Sequence, residues 1–291
     1  MFLYLNGDYI KSEEAAISPF DHGFLYGLGL FETFRTYHGH PFLLDDHFHR
    51  LHEGAKEVGI ELPEYKREDT CRIIHQLLEL NNLEDGYFRW NISAGEREIG
   101  LSSLNYTTPS TIVFVKPLPQ QMPQEKEAVF LQTRRNTPEG LNRLKSHHFL
   151  NNLLGKRELG DQPGTEGIFL TENGDIAEGI VSNIFWVKKG TLYTPSRDSG
   201  ALNGITRQFI LRLAEKAGMN TEEGLYPPES LLTAEEAFIS NSIQEITAIS
   251  SAEGRKFPGA NGCSFKEFSA EYIKHTTSLW SRLELAGRGI D

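Results

Sequence analysis

The chain has 291 residues, of which 38% are hydrophobic and 11% aromatic, enough to bury a substantial core and to divide into two domains. A formal net charge of −11 without any basic run excludes sequence-independent nucleic-acid binding, which needs cations to displace phosphate counterions. No stretch of about 18 apolar residues is available to span a bilayer and no apolar leader follows Met1, so a cytoplasmic protein that stays off membranes is expected. The only cysteines, Cys71 and Cys263, have neither CxxC nor Cys/His spacing, which argues against a zinc site or a disulfide framework. Cys71 reads as a small core residue of its helix.

Residues 2–10 read as strand, Asn6-Gly7 turn and strand, because Asn-Gly between apolar runs is the strongest short hairpin signal. A loop follows, with Ser18-Pro19 and Asp21-His22-Gly23. Tyr26-Gly27-Leu28-Gly29 then leads into an alternating strand that ends at His38-Gly39. These glycines lack a third one opening a helix, so tight turn packing is preferred over a phosphate loop. Leu44 to Val58 is an amphipathic helix with Asp45 and Asp46 in its first turn and Gly59 at its end. Arg50, midway along it, reads in isolation as a solvated helix arginine. A second helix runs from Arg67 or Glu68 to Leu80. Tyr87 to Ser93 alternates as a strand, and Arg89 between its large apolar neighbours is either a paired structural charge or an anion reader. Thr111 to Val115 is a third apolar strand. Three prolines within residues 117–123 mark a semi-rigid linker, so domains are expected at 1–116 and 125–291, joined by 117–124.

The second half opens with a strand near Ala128 to Thr133 and reaches Lys145 where irregular chain turns into an apolar helix ending near Leu159. Leu144 precedes the lysine, and Phe149, Leu150, Leu153 and Leu154 follow at helical spacing, so its stem is expected to lie on packed apolar surface. Desolvation lowers a lysine's pKa, and a neutral amine can form a Schiff base with a carbonyl. Most lysines are solvated surface charges, and alone this one is only a candidate reactive lysine. From Gly167 the chain reads as a meander: Gly167 to Leu170, an Asn173-Gly174 turn, Ile176 to Glu178, Asn183 to Val187 and Leu192 to Thr194. Gly204-Ile205-Thr206-Arg207 opens a helix to about Ala217, stopped by Gly218. Its free amides are either an anion site or an ordinary cap. Ala237 to Ser240 is a strand, Asn241-Ser242 a turn, and Phe265 to Leu283 a terminal amphipathic helix. The His47/His49 and His147/His148 pairs lack i,i+4 ligand spacing and read as solvated or capping residues.

A lysine with a buried stem, a helix N-terminus behind a glycine, hydroxyls in a strand-end turn, an arginine and an acid between strands together suit pyridoxal phosphate. Its aldehyde needs an amine, its phosphate needs N–H groups, hydroxyls and a guanidinium, and its pyridine nitrogen needs a carboxylate. In order along the chain, His49-Arg50-Leu51, Lys145, Ile176-Ala177-Glu178-Gly179, Ser182-Asn183-Ile184-Phe185, Gly204-Ile205-Thr206-Arg207 and Asn241-Ser242 resemble the D-amino-acid and branched-chain aminotransferase superfamily, the fold type IV pyridoxal-phosphate enzymes. The resemblance covers nearly the whole chain. It implies an α/β (α+β) fold of two domains, a smaller N-terminal α/β domain and a larger C-terminal pyridoxal-phosphate-binding domain of β-meander plus helices. It further implies Lys145 as the lysine linked to the cofactor, Glu178 as the pyridine-nitrogen partner, and Gly204, Ile205 and Thr206 as the phosphate loop. Arg50 matches the phosphate arginine, Asn241 and Ser242 the second phosphate turn, and Asn183 a position just outside the cofactor.

Within that superfamily, Ser18 to Gly27, Asn91 to Gly95 and Arg143 to His148 are especially similar to 4-amino-4-deoxychorismate lyases of the Gram-positive type, which make 4-aminobenzoate for folate. The resemblance therefore implies elimination of pyruvate, with Lys145 as general base. The substrate of such enzymes has two carboxylates, for which Arg89 and Arg97 are the cationic candidates, and Tyr26 and Phe31 match pocket-lining aromatics. Gly95-Glu96-Arg97-Glu98-Ile99-Gly100 departs from the branched-chain pattern, so substrate specificity rests on overall similarity. A D-amino-acid or branched-chain aminotransferase and a non-catalytic anion-binding α/β protein are the competing readings. The family also implies a homodimer acting on a small molecule, with no metal.

Overall fold

The computed structural model describes residues 1–285. It forms two compact units, the first made of Met1–Pro119, Leu144–His148 and Thr276–Glu284, the second of Gln120–Arg143, Phe149–His275 and Leu285. The main crossing falls at Pro119/Gln120, inside the proline-rich segment, but two later pieces of chain return to the first unit.

In the first unit, Asn6 and Gly7 take φ of 51° and 113° and close the turn between β1 (Phe2–Leu5) and β2 (Asp8–Lys11). A short helix, α1 (His22–Tyr26), is capped by Asp21 on the Gly23 amide at 2.7 Å and ends at Gly27 in the left-handed conformation. Then come β3 (Gly29–Tyr37), β4 (His40–Pro41), α2 (Leu44–Glu57), α3 (Arg67–Leu80), β5 (Gly86–Ser93) and β6 (Ser110–Pro117). The sheet order is β2-β1-β6-β5-β3-β4, antiparallel throughout. Because side chains alternate across a strand, Leu30, Phe34, Phe88, Trp90 and Ile92 enter one core with Phe48 and Leu51 of α2 and Ile74 and Leu77 of α3. Phe31, Thr33, Arg89 and Asn91, in the intervening positions and paired across β3 and β5, share the opposite face. Cys71 is half-buried, and α3 packs through Thr70, Ile74, Leu77 and Leu78 instead.

Leu144–His148 lies along the edge of this sheet. The Phe31 amide donates to the Lys145 carbonyl at 2.9 Å, the His147 amide donates to the Gly29 carbonyl at 3.0 Å, and Leu30 bridges Ser146 in antiparallel sense. A Cβ on Gly29 would stand 2.2 Å from His147 Cε1, so glycine is required for this approach. The irregular chain expected before Lys145 is thus extended and paired, and the helix starts only at Leu150.

The second unit contains β7 (Glu125–Phe130), α4 (Leu150–Leu159), β8 (Thr165–Leu170), β9 (Ile176–Gly179), β10 (Asn183–Lys188), β11 (Thr191–Pro195), α5 (Ile205–Ala217), β12 (Asn220–Gly224), α6 (Pro228–Leu232), β13 (Glu236–Asn241), β14 (Glu245–Ala252), β15 (Arg255–Lys256) and α7 (Cys263–Ile273). Its sheet order is β12-β11-β10-β13-β14-β7-β8-β9, with β15 on β14. The β8–β9, β10–β11 and β13–β14 pairs are antiparallel, as their turns suggest, but β7 runs parallel to both β14 and β8. The expected meander is therefore broken between β9 and β10, which are not hydrogen-bonded neighbours.

Two helices also differ from expectation. The apolar stripe of α4 stays largely at the surface: Phe149, Leu150, Leu153 and Leu154 are 41–66% exposed, whereas Asn152, Gly155 and Leu159 are buried. A Cβ on Gly155 would lie 2.5 Å from Phe169 Cζ, so the small residue, not the leucines, sets the contact with β8. The terminal helix stops at Ile273, and the following segment joins the first unit. There Leu43 and Asp45 amides donate to the Leu279 and Trp280 carbonyls at 3.1 and 3.0 Å, and Asp46 accepts from the Ser281 hydroxyl and the Arg282 amide at 3.1 and 2.7 Å. The Asp46 carboxylate and the backbone amides at the start of α2 bind chain that local periodicity assigns to a helix.

Phe88 is fully buried and stacks on Phe34 at 5.5 Å. Phe88→Ala is expected to destabilise the protein by about 3–5 kcal/mol in denaturant unfolding, from lost burial plus the cavity left behind.

Candidate active site

Strand alternation places Lys145 and His147 on the same side of the edge segment, with Ser146 opposite. Lys145 Nζ sits 4.5 Å from the Phe31 ring centroid and the Arg89 guanidinium carbon 3.6 Å from the same centroid. One buried aromatic on β3 thereby carries two cations, and the negative face of the ring offsets part of their mutual repulsion. The stem of Lys145 is expected on packed apolar surface, and within its own unit the buried Phe31 ring lies beside its amine. Arg89 donates through Nε to Asn91 Oδ1 at 3.2 Å. It has no carboxylate in ion-pair reach among the described residues, and burial lowers its pKa. Of its two sequence readings, the paired structural charge is not what the structure holds.

The other face of β3 carries a residue that sequence reasoning missed. Glu32 is fully buried and accepts from Arg50 Nε at 2.8 Å, Arg50 Nη2 at 2.6 Å and lies 2.6 Å from His47 Nδ1. Burial pushes the Glu32 carboxyl up, yet Arg50 and His47 outweigh it and hold its pKa down at about 2. His47 is pulled below its usual pKa, first by burial and against the pull of Glu32. Neither Arg50 nor His47 is the solvated helix residue that its sequence position suggested: the guanidinium is oriented by a bidentate acid, and the imidazole is buried. The signal that could have found them is a lone acid within the apolar alternation of Leu30 to Phe34.

In the second unit, Glu178 near the end of β9 is buried, accepting from Arg135 Nε at 2.8 Å through Oε1 and from the Leu202 amide at 3.0 Å through Oε2. Arg135, also buried, continues to Asn151 and Asn152 at 2.7 and 3.2 Å. Arg143 Nε stands 3.9 Å from the same carboxylate, and burial followed by Arg135 lowers its pKa to about 10. Neither arginine carries a role legible in the sequence, because both lie in chain with no periodicity. Gly204 starts α5 without any side-chain cap, leaving the first amides of the helix, including Ile205 and Thr206, outside its internal hydrogen bonding. A Cβ at Gly204 would lie 2.1 Å from Asn183 Oδ1. Thr206 Oγ1 and Ser242 Oγ approach to 3.4 Å, so the two hydroxyls expected from separate turns do meet. Asn241 and Asn183 act on backbone: Asn241 Oδ1 accepts from the Ile243 and Gln244 amides at 2.9 and 2.7 Å, and Asn183 Nδ2 donates to the Leu202 carbonyl at 2.8 Å.

Tyr26 and Arg97 are not gathered with Lys145, Phe31 and Arg89. The Tyr26 hydroxyl accepts from the Gly100 amide at 2.8 Å, and Arg97 donates to the Leu104 carbonyl at 3.0 Å while lying 4.9 Å over the Tyr106 ring. Both organise the loop between Gly95 and Tyr106.

A profile of the family described as amino-transferase class IV matches residues 29–252. The chain belongs to this family. Among class IV relatives, it is 48% identical over 280 residues, 95% of each chain, to the aminodeoxychorismate lyase of Bacillus subtilis (strain 168). The class IV fold itself superposes on the branched-chain amino acid aminotransferase of Escherichia coli with a TM-score of 0.83 and 29% identity, over 95% of this chain and 94% of the other. The T.th. branched-chain amino acid aminotransferase complexed with N-(5'-phosphopyridoxyl)-L-glutamate gives a TM-score of 0.82 at 25% identity, over 95% and 94%. The mixed α/β fold expected of a fold type IV enzyme is the fold observed.

Glu32→Gln is expected to lower stability at pH 7 by about 3 kcal/mol in urea unfolding, because a largely buried arginine then loses its charge partner. The folded pKa of Glu32 is depressed from 4.5 to about 2, so the wild-type advantage should be complete above pH 4.5 and fade as pH falls toward 2. A gap independent of pH in that window would show that Glu32 stabilises by packing alone.

Proposed function

We propose that the protein is a pyridoxal-phosphate-dependent lyase that converts 4-amino-4-deoxychorismate to 4-aminobenzoate and pyruvate, a step of folate biosynthesis. The observation that carries this reading is the 48% identity, spanning 95% of both chains, to the aminodeoxychorismate lyase of Bacillus subtilis.

The chain's donors fit the cofactor. α5 begins uncapped behind a glycine that cannot bear a side chain, two hydroxyls converge beside it, and the nearby Ser240 hydroxyl on β13 is buried with no partner among the described residues. Amides of Ile205 and Thr206, the hydroxyls of Thr206 and Ser242, and Arg50 are the groups we assign to the phosphate. Glu178, a carboxylate held in place by Arg135 and the Leu202 amide, is assigned to the pyridine nitrogen. Gly204, Asn183 and Asn241 shape the backbone on which these donors sit. When bound, pyridoxal phosphate supplies an aldehyde that links covalently to amines and a protonated ring that draws electrons from the attached substrate.

Lys145 Nζ is the amine we assign to that link and, once displaced by the substrate's own amine, the base that removes the proton from the amine-bearing carbon. Expulsion of the enolpyruvyl oxygen from the neighbouring carbon leaves an aromatic ring, which makes the elimination strongly downhill. Arg89, a half-buried cation without an acidic partner among the described residues, is the group we assign to a substrate carboxylate, and its guanidinium lies over the Phe31 ring. Tyr26 and Arg97 contribute through the loop they brace.

We also read the protein as a cytoplasmic homodimer. The exposed residues Phe149 at the start of α4 and Leu150, Leu153 and Leu154 within it present apolar surface suited to a second copy. Among the described residues no helix is long and apolar enough to cross a membrane.

Incubation with aminodeoxychorismate should yield fluorescent 4-aminobenzoate and pyruvate in equal amounts. Slow turnover there, with rapid amino transfer from D-alanine or leucine, would instead make the protein an aminotransferase. Lys145→Ala should keep the fold, abolish the adduct trapped by borohydride and stop turnover. Arg89→Ala should raise KM for aminodeoxychorismate by about tenfold or more with little change in cofactor affinity, and an unchanged KM removes Arg89 from the substrate site.

A further inference from the structure

The sheet face that carries Lys145 and Arg89 holds two more polar residues that the reaction above does not use. Asn91 Oδ1 accepts from Arg89 Nε at 3.2 Å and lies 3.2 Å from His147 Nε2. A guanidinium N–H can only donate, so the amide atom facing it is the oxygen, and the His147 nitrogen facing that same oxygen carries a proton. One carbonyl oxygen thus receives two N–H groups, one from β5 and one from the edge segment.

His147 is itself pinned, because its ring packs against Gly29 where even a methyl group would collide. Burial, followed by the charge of Arg89, lowers its pKa to about 4, against the opposing pull of Asp21 and the Leu30 backbone, with His148 adding to the depression. At neutral pH the ring donates one hydrogen bond and brings no charge of its own. Arg89 is then fixed on two sides, by Asn91 at Nε and by the Phe31 ring 3.6 Å away. Its terminal amino groups and Asn91 Nδ2 donate to no described residue. A partly desolvated guanidinium held in one plane with its fork unused is a receptor for two coplanar oxygens.

We propose that Asn91 and His147 determine the specificity of the Arg89 site: they lock the guanidinium so that it takes a planar carboxylate and discriminates against the uncharged amide of the same shape. This deepens the reading of Arg89 as the substrate's carboxylate reader and rests on it. Both are positioning residues, His147 acting through Asn91 and Asn91 through Arg89.

The test is calorimetric binding of benzoate and of benzamide to the holoenzyme at pH 7. The wild type should bind benzoate at least about tenfold more tightly than benzamide. Asn91→Asp preserves the shape and the shared oxygen but adds a negative charge beside Arg89. It should reduce the preference for benzoate by about tenfold or more while leaving benzamide within about twofold. His147→Leu should weaken benzoate alone, by about three- to tenfold, and His147→Gln, which returns an N–H to the oxygen, should recover part of that loss. If the wild type shows no preference for benzoate, the reading of Arg89 fails and this proposal with it. If the wild type prefers benzoate and Asn91→Asp retains that preference, Arg89 stands and only the role of Asn91 and His147 is overturned. Formation of 4-aminobenzoate is scored separately, so the lyase assignment stands or falls on its own measurement.

Discussion

Two backbone hydrogen bonds, from the Phe31 amide to the Lys145 carbonyl and from the His147 amide to the Gly29 carbonyl, decide which side chains share a face in the first unit. They hold a stretch with no periodicity against β3, where the Leu30–Ser146 bridge is antiparallel, and side-chain alternation then does the rest. Lys145 and His147 face the side that carries Phe31, Arg89 and Asn91, while Leu144 packs with the apolar core on the other. A slip of one residue would exchange the lysine for Ser146. Gly29 permits the pairing because any side chain there would displace the His147 ring.

The buried acids Glu32 and Glu178 follow one rule, and Arg89 differs from their cationic partners. Glu32 has Arg50 and His47, Glu178 has Arg135, and each of these acids is buried with its hydrogen bonds made. Such pairs are costly to break, and they hold their members in a single geometry. Arg89 is the exception, a half-buried cation with an aromatic ring and an amide for company and no acid among the described residues. In the proposed reaction an incoming carboxylate would be its partner, and the cost of desolvating the arginine is already met by the fold.

Much of the architecture is legible in the sequence. The Asn6-Gly7 turn, the strands around Phe31 and Phe88, the helices at 44–57 and 67–80, and the α5 start at Gly204 with its stop at Gly218 all appear where local turn chemistry and periodicity put them. Thr206 and Ser242 converge although nothing local joins them; the ordered motifs of the family resemblance linked them first. Cys71 and the leucines of α4 mislead because apolar spacing shows that a face could be buried and says nothing of whether a partner covers it.

The sequence by itself determined most of the elements, the family and the candidate lysine, because each is written in residues close together or in motifs of fixed order. Tertiary structure alone decided that Glu32 fixes Arg50, that Arg135 holds Glu178, that residues after Thr276 leave the terminal helix to bind Asp46, and that Asn91 joins Arg89 to His147. Those contacts bring together residues distant in sequence, and a polar group's choice of partner when water is excluded depends on which groups the fold has brought within hydrogen-bond reach.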